Sequence, residues 1–524
     1  MTGAEVTAGK KIAVVGGGLA GITAAIDLSE AGYDVVLLEA RPRLGGAASS
    51  YQRGQMTIDN GQHVILRCCD QYQGLLARLG VTGQVEFQPR FDITVLGPGG
   101  PARLFRTGLP SPLHLTASLT KYKLLPLADR LKVGRAALAM KFVNPADPAT
   151  DAQRLGDWLA ARGQSELARR RMWDLFIISA MNIAGDDANL SLAATVIKTA
   201  LLGAKDAADI GVAAVPLGDL HGKATAELLA RLGAQVRMNA KVNAIKPLPG
   251  GSFSLDLTRA QAAGPGDDEL SAGDVNAGEL NAGDEPIDGG SSEVLAVDGV
   301  VLAVPSAQAS RLAGAAGVIG AAAWEGLGAS PIVNVHVIYD RPVMDLPFVA
   351  AVDSPVQWVF DKTRIAGLKT GQYLAVSLSA ADEFVTVPAA QLREQFLPEL
   401  ARLFPAAANA QVIDYFVTRE RRATFRQAPG CGALRPGAES SVPGLVLAGS
   451  WTDTGWPDTM EGAVRSGHSA AQRLSRHLGS LSAANFSAAR RAAMAAGGSG
   501  GLSPRASTAG DAGDEDRASS GVAS

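Results

Sequence analysis

The sequence predicts an α/β protein in which a dinucleotide-binding domain is interleaved with a second, α+β domain that has a mainly helical subregion. A strand, a helix and a strand with a glycine-rich turn run from Lys11 to Leu38. A second apolar strand with a glycine-containing helix start, Leu445–Ala471, lies near the other end of the chain. The 524 residues are 47% hydrophobic, which is enough for two or three associated domains with sizeable cores.

The first segment has the pattern of a βαβ unit. Residues 11–15 form an apolar strand, Leu19–Ala31 a helix and Tyr33–Leu38 a second strand, so we expect a parallel sheet covered on both faces. Three glycines fill the first turn: Gly16, Gly18 and Gly21. The first permits the tight turn, the second lets a pyrophosphate approach the backbone, and the third lets the helix pack closely on the sheet.

The helix start and the end of the second strand complete a nucleotide site. Leu19, Ala20 and Gly21 offer unpaired N–H groups, and the positive end of the helix dipole favours phosphate. Glu39 ends the second strand, where its carboxylate can accept bonds from both ribose hydroxyls and would repel a 2′-phosphate. We therefore predict a Rossmann-type domain that binds a dinucleotide without a 2′-phosphate.

The residues after Glu39 favour FAD. The stretch "EARPRLGGAASS" resembles a segment of the flavin amine oxidase and phytoene desaturase superfamily, in which an acid is followed by R-x-G-G. The resemblance implies that Arg43, Gly45 and Gly46 lie close to the FAD pyrophosphate. We also assign to the cofactor site Ala40 and Arg41, which follow the acid, and Val242 in "GAQVRMNAKVNAIKP", which reads as two short strands.

The C-terminal stretch "LVLAGSWTDTGWPDTMEGAVRSGHSAA" resembles the second FAD segment of the same superfamily. By that resemblance Gly449 approaches the ribityl chain. Glu461, Gly462 and Ala463 would then place backbone N–H groups near the pyrimidine edge of the flavin, where a helix N-terminus suits a reduced, electron-rich ring. The chain departs from the pattern at Ser450, where the superfamily often carries an acid; a hydroxyl there can still hold a ribityl oxygen.

The motifs divide the chain into alternating segments. We predict FAD-binding segments at 10–70, 216–310 and 426–478, and substrate-domain segments at 71–215 and 311–425. Residues 110–145 and 151–203 have helical spacing. Residues 260–293 and 479–524 are low-complexity and rich in small or polar residues, so we predict a disordered insertion, with the tip of a hairpin as one place for it, and a disordered tail.

Composition excludes several classes of protein. The net charge is −3 and no long Lys/Arg run occurs, so no nucleic-acid partner is expected. Cys68, Cys69 and Cys431 form no CxxC pair, so we expect neither a disulfide framework nor a metal site, and a reducing cytosol fits best. "MTGAEVTAGKK" leads directly into the first strand, so we expect no secretory signal, and no apolar stretch is long enough to predict a spanning helix.

The stretch "TIDNGQHVILRCCDQYQGLLARLG" resembles the squalene-associated FAD enzymes of bacterial hopanoid pathways, the hydroxysqualene dehydroxylases. The implied reaction removes a hydroxyl as water from a C30 allylic alcohol and quenches the cation with a hydride from reduced flavin N5. We assign His63 as proton donor, Asp59 as a residue that orients it or bonds the flavin-side backbone, and Gln62 as a third catalytic residue. The alternative is that Asp59 caps a turn and His63 is a packed polar residue.

Moving a C30 isoprenoid from water into an apolar pocket is favourable by on the order of 20 kcal/mol of free energy. Such a molecule is therefore nearly absent from free solution and must come from a bilayer or from a partner. Residues 110–145 supply a possible docking surface on the inner face of the cytoplasmic membrane. Its apolar residues are Leu113, Leu115, Leu119, Leu124, Leu125 and Leu127, and its cations are Lys121, Lys123, Arg130, Lys132 and Arg135. The alternative is an ordinary amphipathic helix covering the substrate domain.

Other functions remain open at this level. A carotenoid-type or phytoene-type desaturase would share the pocket and flavin but reverse the electron flow. A non-catalytic isoprenoid-binding protein is disfavoured by the intact glycine turn and Glu39, and an amine oxidase by the scarcity of tyrosines near the C-terminal segment. No second dinucleotide fold is recognisable, so we expect electrons from a separate donor, and upstream squalene-pathway enzymes are possible partners. We expect Arg435 to help close the flavin site. We also expect the flavin to be bound non-covalently although Cys431 is near, and His336 to lie on a strand.

Overall fold

The computed structural model describes residues 9–259 and 291–479. The strands in these ranges are β1 Lys11–Val15, β2 Asp34–Leu38, β3 Ser50–Arg53, β4 Met56–Asp59, β5 Val64–Leu66, β6 Val85–Phe87, β7 Asp92–Leu96, β8 Ala102–Phe105, β9 Ile210–Ala213, β10 Gln235–Arg237, β11 Ala240–Pro247, β12 Phe253–Arg259, β13 Ser291–Val297, β14 Gly299–Leu302, β15 Ser330–Tyr339, β16 Phe348–Ala351, β17 Trp358–Asp361, β18 Gln372–Ser379, β19 Val412–Thr424 and β20 Leu445–Leu447.

The α-helices are α1 Leu19–Glu30, α2 Asp70–Leu79, α3 Thr116–Lys121, α4 Leu127–Met140, α5 Pro148–Asp151, α6 Leu155–Ala160, α7 Glu166–Ala168, α8 Asp174–Met181, α9 Leu190–Val196, α10 Ala224–Arg231, α11 Ser306–Ala315, α12 Ala389–Leu403, α13 Cys431–Leu434 and α14 Met460–His477. Short 3-10 turns occur at Thr82–Gln84, Leu113–Leu115, Gly185–Asp187, Ala321–Leu327 and Pro405–Asn409, and π-helical turns at Arg169–Trp173, Ile197–Leu201 and Asp219–Lys223. Within the described ranges, no helix combines the length and apolarity that crossing a membrane requires.

A five-stranded sheet forms the first layer, in the order β10-β2-β1-β14-β20 with every pair parallel. Its central strands are continuous apolar runs because both faces are covered, as in other parallel sheets. Helices α1 and α14 pack against each other beside it, and a Cβ at Gly467 would lie 2.4 Å from the Ala20 carbonyl oxygen. The predicted α/β fold with an interleaved Rossmann-type domain is confirmed, since β1, β14 and β20 come from distant parts of the chain.

A seven-stranded mixed sheet forms the second domain, in the order β19-β15-β18-β17-β16-β7-β8. Its side chains alternate between two faces. On one face Val333, Val335 and Val337 pack against Phe396 of α12. The other face contributes Phe360 to a large core shared with the helical region between Leu113 and Leu201. Strands β7 and β8 come from the chain before that helical region, so this domain too is assembled from separate segments.

The helical region follows the predicted spacing with one interruption. The apolar and basic stretch 110–145 divides into α3 and α4, because the chain turns between Tyr122 and Pro126 and α4 starts directly after that proline. Residues 148–201 are helical in short pieces, as predicted for 151–203.

The predicted insertion falls between the antiparallel strands β12 and β13. Residues 260–290 lie outside the described residues, so the prediction of disorder is not tested there. Its last three residues, 291–293, belong to β13 instead, where Ser291 pairs with Arg259 and Glu293 with Leu257. This boundary was wrong because β13 begins at Ser291, before the low-complexity composition of the insertion ends at Glu293. Of the predicted tail 479–524, only Gly479 is described.

Candidate cofactor and substrate site

The first glycine turn is shaped by two close contacts. Gly16 has a φ of +109°, and a Cβ there would lie 2.3 Å from the Ala303 carbonyl oxygen. A Cβ on Gly21 would lie 1.9 Å from the Gly16 carbonyl oxygen. At Gly18 the nearest atom to such a Cβ is the Gly46 Cα, 3.8 Å away. Gly16 and Gly21 are therefore required by packing, whereas Gly18 borders open space.

The start of α1 faces this open space with unsatisfied donors. Gly18 is the N-cap and has no side chain to cap the helix. The first helical hydrogen bond runs from the Ile22 N–H to the Gly18 carbonyl, at 2.9 Å. The N–H groups of Leu19, Ala20 and Gly21 precede it and have no intrahelical acceptor. A helix start of this kind fits the phosphates of a dinucleotide.

Glu39 lies beside the turn, as predicted. One carboxylate oxygen accepts the Gly17 N–H at 2.6 Å and the other accepts the Arg41 N–H at 3.0 Å. A carboxylate has lone pairs beyond these two bonds, so it can also accept from ribose hydroxyls. The carbonyl of Glu39 accepts the Ala240 N–H at 2.9 Å, which brings the start of β11, and with it Val242, to the nucleotide end of the sheet.

Residues 40–41 are held against the same strand. The Arg41 carbonyl accepts the Asn239 N–H at 3.1 Å, and Ala40 lies between the two bonded residues. Burial lowers the pKa of Arg41, and Glu39 opposes that shift. Ala40 and Arg41 thus position the backbone beside Glu39.

The second glycine pair lies directly on the first turn. Gly45 forms a bridge with Gly18 and donates its N–H to the Gly17 carbonyl at 2.9 Å. Gly46 has a φ of +60°, and a Cβ there would lie 2.8 Å from the Gly18 Cα. The guanidinium of Arg43 lies over the Tyr51 ring, 5.5 Å from its centre. The two motifs therefore form one cradle with a side-chain-free floor, which fits the pyrophosphate of FAD.

The D-N-G-Q-H motif is fastened to this cradle. The Asn60 side chain donates to the Ala47 carbonyl at 2.5 Å and accepts the Ser49 N–H at 3.2 Å. The backbone of the same Ala47 also raises the pKa of His63, so the two residues are neighbours. His221 contacts the neighbouring Ala48 carbonyl at 3.1 Å. Residues 59–63 and the cofactor loop are thus one hydrogen-bonded unit, although neither motif shows this in the sequence.

Asp59 is buried and both of its oxygens have partners. One oxygen accepts the Ser50 hydroxyl at 2.7 Å and the Leu217 N–H at 2.9 Å, and the other accepts the Lys362 ammonium at 2.8 Å. The structure therefore places Asp59 as a turn cap and as the partner of a buried cation, and not in hydrogen-bond contact with His63. Lys362 is the site residue that sequence reasoning missed, because it lies 303 positions from Asp59 in the unremarkable stretch "FDKTR".

His63 and Gln62 extend this polar cluster. Desolvation lowers the pKa of His63, Asp59 raises it, and Lys362 lowers it further, so the net shift is downward. His63 is therefore mostly neutral at pH 7. The Nε2 of Gln62 is buried without a hydrogen-bond partner among the described residues. An amide nitrogen in that state is a donor available to a ligand.

The C-terminal FAD segment forms a loop after β20. Gly449 has a φ of +140°, and a Cβ there would lie 2.3 Å from the Trp451 Nε1. The Ser450 side chain lowers the pKa of Asp458, which burial raises, so a carboxyl group does lie beside the position that departs from the family pattern. Arg435 donates to the carbonyls of Ser450, Thr452 and Trp456. Arg435 thus holds this loop together, and its expected role in closing the flavin site stays a prediction.

The start of α14 differs in detail from the prediction. The Gly462 N–H is bonded to the Thr459 hydroxyl at 3.2 Å, and the Ala463 N–H to the Thr459 carbonyl at 2.9 Å. Of the three predicted donors, only the Glu461 N–H is not bonded to Thr459. The Met460 N–H, which was not predicted, is a second helix-start donor that Thr459 does not take. The Glu461 side chain instead accepts the Tyr72 N–H at 2.8 Å, and burial raises its pKa to about 6.

An aromatic surface continues from the polar cluster along β17. Trp358 and Phe360 alternate with Val359 and Asp361, which places the two rings on one face of the sheet, and Lys362 follows the end of this strand. The Trp358 and Phe360 rings stack with centres 6.2 Å apart. The Trp358 N–H donates to Ser179 of α8 at 2.7 Å. The site therefore has a polar end beside the cofactor cradle and an aromatic wall leading toward the helical region.

Two other predicted residues serve the core. His336 lies on β15, as predicted, between the Tyr373 hydroxyl at 2.8 Å and the Thr418 hydroxyl at 2.9 Å, and burial lowers its pKa to about 3. Burial raises the pKa of Cys431 to about 12, which disfavours the thiolate that covalent chemistry needs. In residues 9–259 and 291–479, no cluster of His, Cys, Asp and Glu could hold a metal.

Comparison with known proteins agrees with this site. The family model described as flavin containing amine oxidoreductase matches residues 19–475. A hydroxysqualene dehydroxylase of Rhodopseudomonas palustris is 29% identical over 88% of this chain and 97% of the relative. A chloroplastic 15-cis-phytoene desaturase of Glycine max is 24% identical over 88% of this chain and 79% of the relative. A cyclohexylamine oxidase from Brevibacterium oxydans has the same fold, with a TM-score of 0.60 and 17% identity over 90% of this chain and 99% of the other.

Proposed function

Because this chain belongs to the family of flavin containing amine oxidoreductases, we propose that it reduces hydroxysqualene to squalene with electrons from FAD. Membership of that family makes the chain an FAD-dependent oxidoreductase. The substrate is our proposal, and it is supported by a bacterial relative named hydroxysqualene dehydroxylase that aligns along nearly its full length.

The residues for the cofactor fit the reaction. The α1 start and the Gly18–Gly46 floor would hold the pyrophosphate, Glu39 the ribose, and the loop at Gly449 the ribityl chain. When bound and reduced, FAD supplies a hydride. The overall change consumes that hydride and one proton, breaks the carbon–oxygen bond and releases water.

One observation carries the proposal: Gln62 and His63 on the loop that is fastened to the cofactor cradle, and Lys362 paired with Asp59 of that loop, are half-buried polar groups that can bond a hydroxyl. An ammonium has three donors, and Asp59 takes one of those of Lys362. The Gln62 amide has a donor without a partner among the described residues. His63 in its protonated form can deliver the proton, and the neighbouring Ala47 backbone favours that form. A pure hydrocarbon substrate would leave these groups unused.

The aromatic wall suits the rest of the substrate. Loss of the hydroxyl leaves an allylic cation, and an aromatic face stabilises a nearby cation by about 0.5–2 kcal/mol. Trp358 and Phe360 present such faces next to Lys362. The same side chains would exclude water, which would otherwise return the cation to the alcohol.

The test is anaerobic incubation of the flavin-reduced enzyme with hydroxysqualene, followed by analysis of the extracted lipid. We expect squalene as the product. His63→Ala should slow the chemical step by roughly 10²–10⁴, the usual range for a lost general acid, with flavin content unchanged. The rate of the wild-type enzyme should rise as the pH falls below 6.5, the ordinary pKa of His, because the pKa of His63 is lowered. Recovery of unreacted alcohol from a fully reduced, folded enzyme would refute the proposal.

A second candidate is the reverse electron flow of a desaturase, which the similarity to 15-cis-phytoene desaturases favours. It requires oxidised flavin and a polyene hydrocarbon. Conversion of phytoene by the oxidised enzyme, with hydroxysqualene untouched, would select it.

We propose further that the enzyme associates with the inner face of the cytoplasmic membrane, because a C30 substrate partitions into lipid. The reducing equivalents would come from a separate donor. We propose upstream enzymes of the squalene pathway as protein partners.

A further inference from the structure

Exposed apolar side chains concentrate in one part of the surface. Half of the twelve large apolar side chains exposed in the described ranges lie between residues 109 and 142. They are Leu109, Leu113, Leu127, Leu131, Leu138 and Phe142. Single exposed leucines are normal on protein surfaces, but a contiguous group marks an interaction site.

Helix α4 carries most of this group as a stripe. At 100° per residue, Leu127, Leu131 and Leu138 fall within about 40° of one another, and Phe142 in the following turn continues the line. Their exposed fractions are 62%, 62%, 47% and 90%. The residues that α4 buries, Val133, Ala136 and Met140 among them, lie about 180° away. The helix is thus apolar on its solvent side as well as on its core side.

The segment that carries the stripe is also rich in positive charge. Segment 109–142 contains six Lys or Arg and one acid, Asp129, although the whole chain has a net charge of −3. Asp129 is buried and accepts the Ser165 hydroxyl at 2.8 Å. The exposed cations are Lys121, Lys123, Lys132, Arg135 and Lys141. None of these five has an ion-pair partner in the part of the chain that the structure describes.

Hydrogen bonds fix the turn that precedes the stripe. Arg130 donates to the carbonyls of Leu125, at 2.7 Å, and Thr120, at 2.5 Å, which fastens the turn between α3 and α4. Leu124 and Leu125 are buried there. These leucines and Arg130 were predicted to face a membrane, so this part of the prediction was wrong. Leu115 and Leu119 are half-buried against the core, whereas Leu113 and Leu127 are exposed as predicted.

We propose that the surface formed by Leu127, Leu131, Leu138 and Phe142 docks on a bilayer that contains anionic lipid. The apolar stripe enters the acyl boundary, and the five exposed cations contact the headgroups, a pattern typical of helices that lie in the membrane interface. Charge complementarity favours a lipid surface over a second copy of this chain, since two copies would bring two positive rims together. The choice of lipid rests in part on the proposed substrate.

The test is cosedimentation of the full-length holoenzyme with phosphatidylcholine vesicles, with and without phosphatidylglycerol. The docking variant combines Leu127→Gln, Leu131→Gln, Leu138→Gln and Phe142→Gln. The matched control combines Val294→Gln, Ile319→Gln, Leu346→Gln and Ile413→Gln, which are exposed apolar residues elsewhere. We expect the docking variant to bind at least about 10-fold more weakly and the control to bind like wild type. Lys→Gln at 121, 123 and 132 should weaken binding only to the anionic vesicles, by about fivefold per charge.

Flavin content and turnover of hydroxysqualene in detergent micelles are measured on the same samples. Vesicle binding with no turnover by any variant would refute the proposed substrate and keep the docking surface. Turnover in micelles by a wild-type enzyme that ignores both kinds of vesicle would overturn the docking surface and keep the reaction. Equal vesicle binding by the docking and control variants would also overturn the docking surface. So would a wild-type enzyme that is an oligomer and a docking variant that is a monomer, if both bind vesicles equally well.

Discussion

Helices α1 and α4 are both rich in apolar residues, but they meet different surroundings. Every residue of α1 from Leu19 to Ser29 is buried between the parallel sheet and α14. Helix α4 buries only Asp129, Val133, Ala136 and Met140, and turns three leucines to solvent. The first helix is a crossover in a sheet with two covered faces, whereas the second lies at the edge of the helical region.

The difference teaches that an apolar side chain stabilises the fold only where a second element covers it. In α1 the apolar and polar groups are both enclosed, so changes there should act on folding or on the cofactor. In α4 the exposed stripe should act on association and leave the free energy of unfolding nearly unchanged. The two helices therefore predict opposite responses to similar substitutions.

The largest effect is expected at Gly21 in α1. A Cβ would stand 1.9 Å from the Gly16 carbonyl oxygen, so the turn and the helix must separate. We expect Gly21→Ala to lower the free energy of unfolding by more than about 3 kcal/mol, measured by urea denaturation. The control is Gly134→Ala in α4, where the nearest atom to the new Cβ is a flexible leucine methyl 3.6 Å away. Similar stability of the two variants would contradict the account.

The next effect concerns the buried charge of α1. Asp27 accepts Arg78 of α2 at 2.6 Å and pairs with His468 of α14, so one carboxylate joins three helices. Asp27→Asn should cost about 3 kcal/mol, because it leaves buried Arg78 short of a partner. Asp92→Asn, at the more exposed pair with Arg103, should cost less than about 1 kcal/mol.

The same group predicts a pH dependence. Burial alone would raise the pKa of Asp27, but His468 and Arg78 lower it below its ordinary value of 3.8. Its contribution to stability is therefore present above that value and is lost as the pH falls below it. Thermal unfolding of the wild type should become steeply acid-sensitive below about pH 4, and Asp27→Asn should flatten that slope.

Gly18 should separate cofactor binding from folding. Its neighbourhood leaves room for a side chain in the protein, but a valine would occupy the space for the pyrophosphate. We expect Gly18→Val to purify colourless, with FAD affinity at least about 100-fold lower, while the apoprotein unfolds like wild-type apoprotein. Full flavin absorbance in this variant would show that the cradle is misassigned.

The smallest effect is expected on the exposed face of α4. Leu131→Ala should change the free energy of unfolding by less than about 0.5 kcal/mol. Ile26→Ala in α1 removes a fully buried side chain and should cost about 2–5 kcal/mol. Similar losses at both positions would mean that α4 is covered within the folded chain, and the docking surface would then be lost.

Local patterns were enough to predict the cofactor half of the site. The turn at Gly16, Gly18 and Gly21 and the acid Glu39 fall within one βαβ unit, where spacing along the chain determines position in space. The R-x-G-G loop required the additional knowledge of a family, and the structure brings Gly46 onto Gly18 as that resemblance implies.

The substrate half could not be predicted in the same way, because its contacts join distant segments. Lys362 can be recognised as a site residue only from its bond to Asp59, which lies far away in the sequence on β4. Leu125 and Leu131 look alike in the sequence, and only packing of the preceding turn buries one and exposes the other. At the start of α14, Thr459 takes two of the three N–H groups that the motif predicts to be free: its carbonyl accepts the Ala463 N–H and its hydroxyl, in the rotamer it adopts, accepts the Gly462 N–H.

The most direct measurement of the central claim is the electron balance of a single turnover. The wild-type holoenzyme is reduced anaerobically, the excess reductant is removed, and hydroxysqualene is added while the flavin spectrum is recorded. The account predicts that the absorbance of oxidised flavin returns and that one squalene forms per flavin. A spectrum that stays reduced while hydroxysqualene is recovered unchanged would contradict it, and bleaching of the oxidised enzyme by phytoene would assign the opposite direction of electron flow.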